Sequence, residues 1–318
     1  MILAGSDDGV YRLADIDAPD DDGARKVLDT GRVMRLRAFD ALPGVFAATR
    51  TGLYHSPDGT DWTGLDVPTG KVYAVSADTT GERLYAGTRP AAVYIAELTG
   101  GAIDAETLSW RELEGFNNLP SRDEWRLPRH DDLAQLRDVH VLGANRVVAG
   151  VEVGGVHRSD DGGETWTQQQ EGVDDDIHEL HPVSATEWLA ATGHGLYHTT
   201  DAGERWLRLD DDVDQRYFRS VFATNGTVYA GSALANSSTW DDDDADPELF
   251  RWQGRTLEPV PLPTTDETVT GLTSADGRVV AGTHQGTLLA RRSGEWVEAG
   301  QFPVPGELTG RYTPLATL

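Results

Sequence analysis

Around Trp125 the chain gathers side chains suited to holding an anion or a sugar. The segment NNLPSRDEWRLPRHDD, residues 117 to 132, carries Arg122, Arg126, Arg129 and His130 close to that tryptophan. Arginine offers a planar fork that matches carboxylate or phosphate, and tryptophan offers a flat apolar face to a ring or a side chain. Arg137 with Asp138, His178 with Glu179, and Arg219 each come early in a short alternating segment, while Arg50, Arg89, Glu152 and His194 fall in turns. Two outcomes are open for such a set: convergence on a ligand, or mutual pairing of arginine and carboxylate with no ligand at all. His130, Glu152, Asp176 and His178 are also chemically suited to a metal. No compact spacing motif joins them, so the expectation is neither metal nor cofactor.

The elements that must position these residues repeat seven times. A short alternating strand ending in Ala-Gly or Ala-Ala, a turn, and then Gly-apolar-Tyr or a relative occur as MILAGSDDGVY at 1, GVFAATRTGLY at 44, RLYAGTRPAAVY at 83, RVVAGVEVGGVH at 146, EWLAATGHGLY at 187, TVYAGSAL at 227 and RVVAGTHQGTLL at 278. Alternation with β-branched and aromatic residues predicts strands, and the small residues allow backbones to approach where the units converge. Every copy after the first follows another alternating segment: VMRLRAF at 33, VYAVSAD at 72, LRDVHVL at 136, IHELHPV at 177, FRSVFAT at 218 and VTGLTSA at 269. The first copy has none before it, but YTPLATL at 312 to 318 has the same apolar spacing and is expected to complete the first unit.

The segment SDDGGETW at 159 to 166 fits S-x-D-x-G-x-T-W and is identified as an Asp-box, or BNR repeat; SPDGTDW at 56 and TTDAGERW at 199 are weaker copies. In proteins that carry this box it forms the hairpin between the two outer strands of a β-propeller blade. Together with the repeat, this gives an all-β expectation: a seven-bladed β-propeller of four-stranded antiparallel blades, the first closed by the C-terminal strand, as one domain over 1–318. Within the box, Ser159 and Asp161 are expected to bind the turn backbone, Gly163 to adopt a positive φ and Trp166 to pack between sheets. Two insertions, 117–134 and 233–248, are expected on one face of the ring, opposite the Asp-box hairpins, and long loops on a rigid scaffold are where sites are built.

The three boxes resemble those of sialidases, sortilin-like receptors, some xyloglucanases and photosystem II assembly factors. The chain as a whole resembles a prokaryotic family of BNR propellers often labelled sialidase-like, through LPSRDEWRLPRHDD, VEVGGVHRSDDGGETW, DDIHEL, GHGLYHTTDAGERW and RYF. That resemblance implies Ser121, Arg122, Trp125, Arg129, His130, Glu152, Asp176, His178 and Tyr217 as the surface that binds. True sialidases carry an F/Y-R-I-P segment absent here, and usually six blades. Tyr217 with Glu152 or Glu179 would be the counterpart of their Tyr and Glu pair.

Acidic residues number 53 against 27 basic, giving a net charge of -26, with only two lysines, Lys26 and Lys71. This balance resembles a halophilic archaeal proteome, in which molar salt shortens the Debye length to about 3 Å and screens self-repulsion. Nucleic-acid binding is disfavoured because it needs clustered basic side chains. The absence of cysteine excludes disulfides, thiolate metal sites and cysteine nucleophiles. The opening MILAGSDDGVYR has no basic leader and no apolar run approaches a membrane span, so a cytoplasmic monomer is expected. The function these features favour is a noncatalytic binding scaffold, holding an unknown protein or a small anionic or glycan ligand at the channel mouth through Arg89, Arg122, Trp125, Arg129, His130, Arg137, Glu152, Asp176, His178 and Tyr217. The alternative is a sialidase-like glycoside hydrolase using a carboxylate there.

Overall fold

The computed structural model describes residues 1–13, 23–128 and 131–318. Seven four-stranded antiparallel sheets form the ring. The innermost strands are Val33–Phe39, Val72–Ala77, Gln135–Leu142, Ile177–Pro182, Tyr217–Thr224 and Val269–Ala275 in blades 2 to 7, each beginning at or within one residue of its expected start. Blade 1 is completed by Leu315–Thr317, which pairs antiparallel with Ile2–Ala4 and so joins the two ends of the described chain in one sheet. The ladder of unpaired groups at each end of the chain is thereby satisfied, which is how a ring of blades avoids an open edge.

Apolar clusters lie between neighbouring blades rather than in one central core. Leu189, Ala191 and Leu196 of blade 5, for instance, pack on Phe218, Val221 and Phe250 of blade 6. The small residues of the second strands are required by this contact: a Cβ at Gly87 would come within 2.2 Å of Leu136, and one at Gly231 within 2.1 Å of the Val269 carbonyl.

Every innermost strand from blade 2 to blade 7 also holds a β-bulge near its start. Pairing with the second strand skips Met34, Tyr73, Arg137, His178, Arg219 and Thr270 in turn. A bulge bends its strand and re-aims the extra side chain. On blades 4, 5 and 6 that side chain is Arg, His and Arg, so the device that shapes the channel also delivers its polar groups.

The innermost strands all begin at one end of the channel, here called the front. Residues 117–134 join the outer strand of blade 3 to the innermost strand of blade 4, and 234–247 join the second and third strands of blade 6. By this connectivity both loops open onto the front. The turn of SDDGGETW joins Gly155–Ser159 to Thr167–Gln168 at the rear. Asp161 binds the Thr165 amide at 2.9 Å, Ser159 accepts from the Gly163 amide at 2.8 Å, Gly163 has φ 101° and Trp166 is buried with its indole donating to the Gly163 carbonyl. These contacts account for the motif by turn geometry alone.

Candidate functional site at the channel mouth

Tyr312 plugs the channel. Its ring is 1% exposed, packs with Met34 and Tyr73, and receives three guanidinium groups: Arg219 at 3.6 Å from the centroid, Arg137 at 4.4 Å and Arg35 at 5.6 Å. Its hydroxyl donates to the His178 carbonyl at 2.6 Å. The segment before it is tied across the front mouth. Arg32 donates to the carbonyls of Thr309 and Glu307, Arg219 to those of Gly310 and Arg311, and Ser237 accepts from the Gly310 amide.

In front of this plug lies a cavity of about 80 Å³ lined by Arg50, Gln135, Arg137, Glu152, Tyr217 and Arg219, with Asn236, Ser237, Thr309 and Gly310 at its rim. Arg137 Nε stands 3.1 Å from Glu152 Oε2, and Gln135 donates to the same oxygen at 2.8 Å. Among the described residues, three arginines therefore face one lining carboxylate. His178, fully buried beside the cavity, donates from Nδ1 to the Phe218 carbonyl at 2.7 Å and stacks on Tyr217 with centroids 4.5 Å apart. Burial, assisted by the Arg219 charge, pushes its imidazole down to about 3, so the ring is neutral. Burial also pushes the Tyr217 phenol up to about 12, which keeps it protonated and opposes use as a nucleophile.

The rear mouth is separate chemistry. Asp138, fully buried, holds Arg37 at 2.7 Å and Arg35 at 3.3 Å and accepts from the Leu180 amide; Glu179 pairs with Arg35 and accepts from the Val221 amide at 3.0 Å. Burial alone would raise Asp138, but the Arg35 and Arg37 charges outweigh it and hold its carboxyl well below the usual range. Arg35, Arg37, His140, Glu179 and His181 line a larger space here of about 420 Å³. Asp138 and Glu179, expected at the front with Arg137 and His178, thus serve the rear instead, because the bulges at Arg137 and His178 re-aim those two side chains away from their successors.

Among the described residues of the first insertion, Trp125 and Arg122 do not fold over the arginines as a binding lid. Trp125 is 4% exposed, its ring taken up by Phe116, His157 and the Arg122 guanidinium at 4.7 Å, so it is a core residue and offers no platform. Arg122 donates to the Ala91 carbonyl at 2.8 Å. Ser121 precedes the short turn Arg122–Glu124, and Arg126 is exposed. Arg89 is buried and pairs with Asp131 at 3.3 Å; His194 is exposed and 3.5 Å from Asp174. Arg129 and His130 lie outside the described residues. Of the expected residues, the front site brings together Arg50, Arg137, Glu152, Tyr217 and Arg219, with Asp176 and His178 behind them. Gln135, Ser237 and Tyr312 were not expected. Tyr312 stands at the head of the closing segment YTPLATL, whose apolar spacing marks a strand but carries no sign of a channel plug.

No family model matches the chain, and no curated protein matches it in sequence. Its fold is similar to many solved structures. A GH74 enzyme from Niastella koreensis aligns with a TM-score of 0.60 at 15% identity over 84% of this chain and 45% of that one, so the chain spans under half of that enzyme. The structure described as YCF48 bound to D1 peptide aligns at 0.57 and 16% identity over 84% of this chain and 81% of that one. The WD40 propeller domain of Doa1 aligns at 0.59 and 13% identity over 96% and 86%. At these identities the likeness establishes the propeller fold and no more.

Proposed function

We propose that the protein is a noncatalytic binding scaffold whose front mouth takes the carboxylate of a protein or peptide partner. The observation that carries this reading is the concentration of Arg50, Arg137 and Arg219 around one cavity that, among the described residues, only Glu152 lines with opposite charge, on a chain of net charge -26. A cavity of about 80 Å³ accommodates an anionic group rather than a sugar ring, since small-molecule sites typically run from about 300 Å³ upward. The similar propeller described as YCF48 bound to D1 peptide supports a peptide as the partner class.

The glycan-active alternative draws support from the fold likeness to GH74 enzymes. It draws less from the site, where the phenol of Tyr217 is held protonated by burial.

Short peptide pools with free or amidated C-termini, measured by fluorescence anisotropy in molar KCl with chelator present, test the proposal. Binding of the free-carboxylate pool alone, weakened about tenfold or more by Arg50→Glu, is expected for loss of a charge-assisted contact at this rim. Equal binding of both pools, or none, would overturn it.

A further inference from the structure

Behind the arginines, three donors face one another. One carboxylate oxygen each of Glu152 and Asp176 and a ring nitrogen of His178 all lie within 4.8 Å of one another. Glu152 ends the second strand of blade 4, Asp176 immediately precedes the innermost strand of blade 5, and His178 is the bulge residue of that strand. The fold, not the sequence spacing, assembles them.

The orientation of His178 decides what this group can hold. Its Nδ1 contacts the Phe218 carbonyl at 2.7 Å, and a carbonyl can only accept, so the proton of the uncharged ring sits on Nδ1 and Nε2 presents a lone pair. That lone pair faces Asp176 Oδ1 at 3.7 Å, and Nε2 has no hydrogen-bond partner among the described residues although the ring is fully buried. A lone pair and an anionic oxygen repel unless a cation lies between them. A ring nitrogen aimed by a hydrogen bond from its other nitrogen to a backbone carbonyl is the arrangement metal-ligating histidines use. Glu152 is aimed in the same way, because Gln135 and Arg137 both act on Oε2.

We infer that Glu152, Asp176 and His178 bind a divalent first-row transition cation, with Zn2+ as the probe of choice. An imidazole with two carboxylates suits such an ion better than Mg2+ or Ca2+, which take oxygen donors. Bond lengths of about 2.0–2.2 Å require the donors to close by about 1 Å. The cavity lined by Glu152 would leave the remaining coordination positions accessible from the front. Among the described residues, Arg137 is the cation that competes at Glu152. It reaches Glu152 on one oxygen, whereas Arg219 is engaged by Tyr312 and by the carbonyls of Gly310 and Arg311. This inference stands apart from the peptide reading, whose assay is run with chelator.

Full-length protein stripped with EDTA and titrated with ZnCl2 by calorimetry, in molar KCl with excess MgCl2 to occupy surface carboxylates, tests it. The expected result is one Zn2+ per chain, with binding lost in His178→Gln and in Asp176→Asn and retained in His194→Ala, whose exposed imidazole near Asp174 controls for adventitious sites. Should His178→Gln fail to fold by circular dichroism, Asp176→Asn decides, since it is nearly isosteric and its side chain is less completely buried than that of His178. Absence of stoichiometric binding in the wild type, or unchanged binding in Asp176→Asn, overturns the inference.

Discussion

The guanidinium carbon of Arg219 sits 3.6 Å from the centroid of the Tyr312 ring, and this contact divides the channel into a front and a rear compartment. The ring separates the Arg137, Glu152 and Arg219 cavity from the Arg35, Arg37 and Glu179 space and gives three buried arginines a face on which to rest.

Tyr312→Ala should therefore destabilise the fold by about 3–5 kcal/mol, the range for truncating a buried aromatic. Tyr312→Phe keeps the ring and loses the hydroxyl's bond to the His178 carbonyl and its longer one to the Arg219 carbonyl, for about 1 kcal/mol. Urea denaturation of both variants measures the difference. Equal losses would mean that the hydroxyl, not the ring, is what the channel needs.

Asp138 is the anion that the rear arginines depend on. Asp138→Asn should cost about 3–5 kcal/mol, because Arg35 and Arg37 then lose the buried carboxylate they share while Glu179 compensates only Arg35. A cost below about 1 kcal/mol in the same denaturation assay would contradict this account, as it would resemble an exposed pair.

Acid should weaken the fold through His157. Its ring is fully buried against Phe116 and Trp125, its Nε2 donates to the Gly154 carbonyl at 2.9 Å, and burial pushes it down to about 4. The unfolded chain takes up this proton near pH 6.5, so the contribution is fully present above that pH, falls away as pH drops toward 4 and is gone below it. His157→Gln should flatten the stability profile between pH 6.5 and 4 relative to wild type. A parallel, merely lowered profile would assign the acid sensitivity to other groups.

The ring was legible in the sequence because each blade repeats two local signals, alternation and a pair of small residues such as Ala86 and Gly87, and both act through contacts between adjacent strands. The closing strand was legible for the same reason. The site was legible in part. Arg137, Glu152, His178 and Arg219 stand out by residue type, but alternation cannot reveal a bulge, and it is the bulge that separates Arg137 from Asp138 and His178 from Glu179. Trp125 misled because a tryptophan among arginines reads the same whether its ring faces solvent or Phe116. Tyr312 was out of reach because its partners lie 93 to 277 positions away by number, on Arg219 and Arg35.

The plug and the closing strand share one short stretch, Tyr312 to Thr317. Sealing the channel and completing the ring are therefore a single event, which waits on a stretch made after every other strand of the ring. Until that stretch arrives at the ribosome's exit, Arg137 and Arg219 have no ring to rest on and blade 1 lacks its inner strand, so the two vulnerabilities of the nascent protein end together.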